Sequence, residues 1–415
     1  MTSTTTARRV ESPTGRRYVQ LVLVLGALIA LGPLTIDMYL PAFPRIREDL
    51  GTTDSAVQLT LTGMLLGLAV GQLVIGPLSD AFGRRRPLVV GICVHATASA
   101  LCALAPTVEV LATVRVLQGF AGAAISVTAM AIVRDLFEGV AVARLMSRLM
   151  LVIGLAPIIA PTLGGLVLQV TTWRGIFVLL GAAALVLVVV AVLGVRETLP
   201  PERRRPATVR SSLAAYRSLL RDRVFVALTF IAGLMLASLF SYVSGASFVL
   251  QDGFGLDAQT FGLVFGLNSA GLTLTSQLNP VMLRWWSVRA VLSGAIVAAF
   301  LASSALLVAG LTGAGLLFVL VPLGLVVATA GLSLPNTPAL ALTRHGEAAG
   351  TAAAVLGCVQ FGVGALVAPL VGAFGSGTAT PMAVVMVTLT VLAGLLMFGV
   401  VQRERTPPLA EVRPE

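Results

Sequence analysis

The chain has 415 residues, 57% of them hydrophobic and 11% charged, with a mean hydropathy of +0.97 and a formal net charge of +10. Soluble domains carry about 25% charged residues, so the composition excludes a soluble enzyme or binding module and describes a polytopic membrane protein. All 28 basic side chains are Arg, and their distribution, given below, makes them an orientation signal, with no nucleic-acid partner implied.

A tail over 1–17 precedes six apolar stretches, at 18–40, 55–78, 87–105, 108–133, 140–168 and 174–195, each suited to crossing about 30 Å of hydrocarbon. Residues 196–222 break the pattern, six more stretches follow at 224–250, 258–282, 289–310, 314–342, 348–374 and 378–401, and 403–415 form a second tail. The expectation is an all-α integral membrane protein of twelve transmembrane helices in two pseudo-symmetric bundles, 18–195 and 223–402, joined by a cytoplasmic linker over 196–222. The first stretch is too long, and too poorly flanked by small residues, for a removed signal peptide. With both termini inside, 24 Arg fall in cytoplasmic segments, three lie outside (Arg45, Arg47, Arg174), and Arg115 remains in the membrane. That is the positive-inside bias. Abundant Ala, Gly, Val and Arg without Lys fits a GC-rich bacterial genome, so the expected location is the bacterial cytoplasmic membrane, with both termini cytoplasmic. Cys93, Cys102 and Cys358 all sit within apolar stretches. No disulfide framework or metal-ligand spacing is present, and no metal or cofactor is expected.

The first stretch carries the most informative residue. Leu21 to Leu40 holds one charge, Asp37. A carboxylate at membrane depth costs roughly 2.5–3.5 kcal/mol on insertion scales, so it faces a partner or a water-filled path. Arg115 is the one other charge well inside a stretch, about eight residues or some 12 Å from the outer side at about 1.5 Å per residue. The depths of Asp37 and Arg115 are compatible with a pair that couples transport to protons. The competing reading is that Arg115 holds helices together or snorkels outward.

The loop after the second stretch reads G-P-L-S-D-A-F-G-R-R-R-P, from Gly76 to Pro87. Gly83 allows unusual backbone angles, Asp80 offers a carboxylate, and Arg84, Arg85 and Arg86 fix orientation. An Arg-rich inside loop is common, but the ordered G-x-L-x-D-x-x-G-R-R pattern asks for more. In the fifth stretch, Gly154, Pro157, Pro161, Gly164 and Gly165 combine close helix approach with a disrupted helical ladder. The spacing Gly154, Ala160, Pro161, Gly164 returns as Gly362, Ala368, Pro369, Gly372, offset by 208 residues; Arg134 and Arg344 are offset by 210. Internal symmetry of this kind belongs to transporters built from parallel repeats.

Within the linker, R-E-T-L-P-P-E-R-R-R-P-A-T-V-R reads as a solvated spacer. The following S-S-L-A-A-Y-R-S-L-L-R-D-R sets Leu213, Tyr216 and Leu220 on one helical face and Arg210, Arg217 and Arg221 largely on another, which suits a short amphipathic helix on the inner membrane surface. Candidate pocket residues are Tyr39, Gln58, Gln118, Phe240, Tyr242, Phe265, Asn268 and Asn336, with Met64, Phe248, Phe261 and Gln277 as further options. Each is equally suited to helix packing. His95 is read as structural.

Taken with T-I-D-M-Y-L-P-A-F-P from Thr35, V-Q-L-T-L from Val57, G-Q-L-V-I-G-P-L-S-D from Gly71, R-V-L-Q-G-F-A-G-A-A from Arg115 and G-L-A-P-I-I-A-P-T-L-G-G from Gly154, the loop signature resembles the major facilitator superfamily. The combination is similar to its Bcr/CflA branch of drug:proton antiporters, mainly over residues 30–200. The resemblance implies that Asp80 meets the start of the eleventh helix near Glu347 to Gly350, and that Arg84 reaches Asp135 at the end of the fourth. It also associates Arg115, Gln118 and Gly119 with proton coupling. Ala81 departs from the pattern, since many relatives carry a base there.

The leading expectation is a proton-coupled exporter of small amphiphilic drugs that works by alternating access as a monomer; the alternative is an exporter of a metabolite such as an amino acid or sugar. An enzyme would need clustered nucleophiles, acids or metal ligands, and a sensor or scaffold a sizeable soluble domain. No G-x-x-x-x-G-K-[ST] loop occurs, so the energy source is an ion gradient.

Overall fold

The computed structural model describes residues 15–137, 140–204, 216–343, 349–375 and 377–404. Among these it is helical throughout: α1 (Gly15–Asp37), α2 (Phe43–Asp49), α3 (Asp54–Phe82), α4 (Arg85–Ala103), α5 (Val108–Leu136), α6 (Val140–Val170), α7 (Trp173–Gly194), α8 (Arg223–Phe248), α9 (Ala258–Met282), α10 (Val288–Thr312), α11 (Leu316–Leu342), α12 (Ala349–Ala373) and α13 (Ala379–Leu396). A helix stands at each of the twelve apolar stretches. Among the described residues, eleven spans are long and apolar enough to cross a membrane. The remaining helix, α9, is long enough but carries Gln259, Asn268, Ser269, Ser276, Gln277 and Asn279, which lowers its hydropathy without shortening it. The amphipathic helix expected after the linker falls largely on residues outside those described; Tyr216 to Leu219 are helical.

The chain forms two compact units. The first comprises 1–51, 63–207 and 258–266, and the second 52–62, 208–257 and 267–415.

In the first unit, Leu25, Leu28, Ile29, Leu88, Ile92, Ile125, Ile132, Leu145, Leu149, Ala184 and Ala191 pack as one buried cluster drawn from α1, α4, α5, α6 and α7. Lipid tails are as apolar as Leu, so helix association inside a membrane depends on close packing. That packing is explicit between α3 and α5. Gly63, Gly67 and Gly71 recur every four residues, and a Cβ at Gly67 would strike the Val116 carbonyl; from the other side, a Cβ at Gly119 would strike the Met64 carbonyl.

The end of α1 has a definite cause. Pro41 has no N–H to give the Asp37 carbonyl, and its ring would collide with that carbonyl if the helix continued. The helix therefore stops at Asp37, and the chain turns through a 3-10 segment, Leu40–Ala42, into α2. The first stretch expected from sequence is thus a broken helix.

In the second unit α8 is the central element, buried along most of its length. Gln58 is fully buried, its Nε2 donating to the Ser244 carbonyl (3.1 Å) and its Oε1 accepting from Gly372 N (2.8 Å). Gly164 and Gly372, which correspond in the internal repeat, both mark close approaches. A Cβ at Gly164 would meet the Met38 main chain, and one at Gly372 would meet Ser55 and the Gln58 amide.

Candidate functional site

Arg115 sits two turns into α5, whose N-terminus is capped by the Thr107 side chain accepting from Val110 N. It is fully buried. Its Nη1 donates to Gln118 Oε1 (2.7 Å), one turn along the same helix, and to the carbonyl of Thr35 (3.1 Å). The guanidinium carbon stands 4.2 Å from the Tyr39 ring centroid and 5.8 Å from that of Phe177. The break in α1 explains this arrangement. The last carbonyls of a helix lack intrahelical partners and carry the negative end of its dipole, so a buried cation is held there by hydrogen bond, dipole and aromatic faces together.

Asp37 is buried at the same helix end, 5% exposed. Among the described residues its carboxylate forms no ion pair, with Arg115 or any other base. The two residues whose depths matched in the sequence do lie at one end of α1, but Arg115 is engaged by the main chain of Thr35 instead of by the acid. Gln118, a pocket candidate, is committed too: its Nε2 donates to Ser99 Oγ (2.8 Å).

At the other end of the first unit, Gly83 adopts a left-handed φ of +87° between α3 and α4. Arg84 follows, its side chain 9% exposed. Its Nη1 donates to Asp80 (2.5 Å) and to Ser79 Oγ (2.7 Å), and its Nε to Asp135 (2.9 Å). Burial alone would lower the Arg84 pKa; hydrogen bonds and charge from Asp135 and Asp80 outweigh it and raise it above the usual value. Arg85 donates to the Val192 carbonyl (2.7 Å). Gly76 has open space where a Cβ would sit, so close packing does not account for it. Glu347, expected near Asp80, lies outside the described residues.

Sequence reasoning missed the residue that organises this loop. Glu197, just after α7, accepts from Arg84 N (2.8 Å), Leu199 N (3.0 Å) and Thr198 N (3.1 Å) at Oε1, and from Arg85 N (3.3 Å) at Oε2. Arg204 lies 3.9 Å away. It supplies the N-terminal cap that Arg84, at the cap position of α4, does not provide with its own side chain. Burial would raise the Glu197 pKa, but the main-chain donors and Arg204 hold it below the usual carboxylate range. Thr198 Oγ1 donates to Asp135 (2.9 Å), so two adjacent residues tie the exit of α7 to the main chain at Arg84 and to its partner Asp135. An R-E-T-L run after an apolar stretch was the available signal.

In α6, Pro157 and Pro161 both lie inside the helix. Gly165 approaches the main chain at Ala258 and Gln259, and the Cβ position of Gly262 faces the main chain of Pro161 and Thr162. Gln277 is exposed; the other pocket candidates are buried and fall into separate contacts. Asn268 Nδ2 donates to the Tyr242 hydroxyl (3.2 Å), and Asn336 exchanges amide hydrogen bonds with Asn279 (2.7 and 3.4 Å). Phe240 packs near Phe361 and Phe265 near Phe261. No group of three or more metal-ligating side chains occurs among the described residues.

The family model for the Major Facilitator Superfamily matches residues 25–369. The chain belongs to the Major Facilitator Superfamily. This transporter is 39% identical over 395 residues to the uncharacterized MFS-type transporter YdgK of Bacillus subtilis, covering 94% of this chain and 97% of the relative. It is 31% identical over 382 residues to the bicyclomycin resistance protein homolog of Haemophilus influenzae, covering 92% and 96%. That similarity supports the branch read from the motifs. Its fold matches the crystal structure of a bacterial homolog of the human lysosomal transporter Spinster, with a TM-score of 0.73, 15% identity, and coverage of 95% of this chain and 100% of the other. The protein is a multi-pass membrane transporter of small molecules, not an enzyme.

Proposed function

We propose that this transporter exports small amphiphilic drugs across the bacterial cytoplasmic membrane in exchange for protons, as a monomer with both termini cytoplasmic. The observation that carries the reading is Asp37: a buried carboxyl at a break in a transmembrane helix, beside but not bonded to a buried Arg. An acid in that setting is a functional group by default. Proton uptake from outside neutralises it, and its release inside restores a charge that the Arg115 guanidinium can meet. Binding of a cationic or polar drug near the same helix end favours the deprotonated form, so drug and proton exchange by competition. The sequence halves 18–195 and 223–402 are the moving bodies of the alternating-access cycle, with Asp80, Arg84, Arg85 and Asp135 in its cytoplasmic gate and Gly154, Pro157, Pro161, Gly164 and Gly165 in a gating bend.

The similarity to a bicyclomycin resistance protein homolog selects bicyclomycin as the first substrate to try. Drug-sensitive bacteria expressing the chain should accumulate less labelled bicyclomycin than cells with an empty vector. A protonophore or Asp37→Asn should erase the difference while the protein remains in the membrane. Export that survives both treatments overturns proton coupling through Asp37; lack of export across a wider drug panel points to the metabolite alternative.

A further inference from the structure

His95 has no part in that scheme, yet it lies in a closed ring of hydrogen bonds with Arg115. The imidazole is 1% exposed on α4, and its Nε2 is 3.0 Å from Thr35 Oγ1. Thr35 Oγ1 donates its one proton to the Leu31 carbonyl (2.6 Å), so towards His95 it can act as an acceptor. Ser99 Oγ donates to the His95 carbonyl (2.8 Å) and accepts from Gln118 Nε2 (2.8 Å); its proton is also committed, and His95 Nδ1 stands 3.5 Å away. The donors are therefore consistent when the neutral ring carries its hydrogen on Nε2 and gives it to Thr35. Gln118 Oε1 accepts from Arg115, and Arg115 donates to the Thr35 carbonyl. The ring thus starts and ends on one residue, two positions before Asp37, and joins α1, α4 and α5.

We propose that His95 is a positioning residue that holds the last turn of α1 through Thr35, keeping the Thr35 carbonyl on Arg115 and the Asp37 carboxyl off it. The reason is the break at Pro41. The ladder ends with Met38 N on the Leu34 carbonyl, so this turn has no helical turn of α1 beyond it, and Thr35 Oγ1 is the side-chain handle by which a neighbouring helix grips it. Other titratable or charged groups around the helix end are Arg115 from α5, Cys102 from α4, which feels the Arg115 charge, and Tyr39 from the same chain. From α6 and α7 the contacts are Gly164 on Met38 and Phe177 against Tyr39. Without the grip, the turn is free to rotate and the setting of Asp37 relative to Arg115 changes.

This inference rests on the reading of Asp37 as the coupling carboxyl, and its test needs neither drug nor gradient. In the full-length purified protein, infrared difference spectra followed across pH give a titrating carboxyl band, assigned to Asp37 by its loss in Asp37→Asn. His95→Leu and Thr35→Val should each move the midpoint of that band by about one pH unit or more, a tenfold change in proton affinity. His95→Gln, whose amide N–H can reach Thr35, and Thr35→Ser, which keeps the hydroxyl, should leave it within about a third of that shift. If His95→Leu does not fold, the two Thr35 variants decide. An unmoved midpoint in Thr35→Val, or equal shifts in the conservative and disruptive variants, overturns the proposal. A wild-type spectrum in which Asp37→Asn removes no titrating band overturns it as well. Drug-evoked proton flux judges the coupling independently, so either idea can fail without the other.

Discussion

Glu197→Gln isolates the clasp on the cytoplasmic loop, because it keeps the shape of the side chain and removes its charge. In the structure Oε1 accepts three main-chain N–H groups and Oε2 a fourth. Hydrogen bonds to a charged partner contribute about 1.5–3 kcal/mol and neutral ones about 0.5–1.5. The variant retains neutral bonds at the carbonyl oxygen and turns an amide donor towards Arg85 N and Arg204. Solvent exposure around the carboxylate screens part of the loss, leaving an expected local destabilisation of about 1.5–2.5 kcal/mol. At about 1.4 kcal/mol per factor of ten, hydrogen exchange in the peptide covering 83–90 should speed up roughly 10- to 70-fold, while exchange along α10 stays unchanged. The pH dependence has a definite sign. Because Glu197 is held below its ordinary value, its contribution is complete above about pH 4.3, the unfolded value, and is lost as pH falls through the folded value. Wild-type protection should therefore fall in that acidic range and converge on the variant. A change below twofold at neutral pH would show that the four N–H groups do not depend on this carboxylate.

Three further outcomes follow from the same contacts. Gly67→Val, whose side chain would run into the Val116 carbonyl, should cost more than the roughly 1–3 kcal/mol of ordinary overpacking; a membrane-inserted yield equal to wild type would contradict the α3–α5 approach. Arg115→Lys keeps the charge but not a planar group able to bond Gln118 and Thr35 together while stacking on Tyr39, so driven transport should drop at least about tenfold, and unchanged driven transport would deny the geometry its role. Thr198→Val removes one bond to Asp135 and should cost about 1 kcal/mol, read as a modest rise in exchange near the end of α5; no rise would leave Asp135 held by Arg84 alone.

How much of this was legible beforehand depended on the kind of interaction. The twelve helices were readable because a span of hydrocarbon sets a length and a composition that sequence displays directly; even the polar α9 kept the length. Arg84 and Asp135 met as the loop signature implied. Asp37 and Arg115, matched in position along their stretches, lie at one end of α1. The bond from Arg115 to the Thr35 carbonyl at the end of that helix was not legible, because main-chain acceptors leave no mark in composition. His95 and Ser99 on α4 and Thr35 on α1 carry no mark of a link to Arg115 on α5, since a ring closed across helices has no sequence spacing. Glu197 escaped for a similar reason: two of its four partners, Arg84 N and Arg85 N, belong to a loop more than a hundred positions earlier. Gln58, Asn268 and Asn336, named as pocket candidates from their polarity in apolar stretches, are buried, and each is bound to a different neighbour.

Proton-coupled export requires that Asp37 exchange a proton for a drug. The direct measurement uses proteoliposomes with an imposed pH gradient, an internal pH dye and labelled bicyclomycin, recording both fluxes at once. Bicyclomycin should evoke proton movement opposite to its own and be driven uphill, with both fluxes lost in Asp37→Asn protein that is inserted and folded. Uphill bicyclomycin transport with no accompanying proton flux, or with undiminished flux in Asp37→Asn, would contradict proton exchange at Asp37.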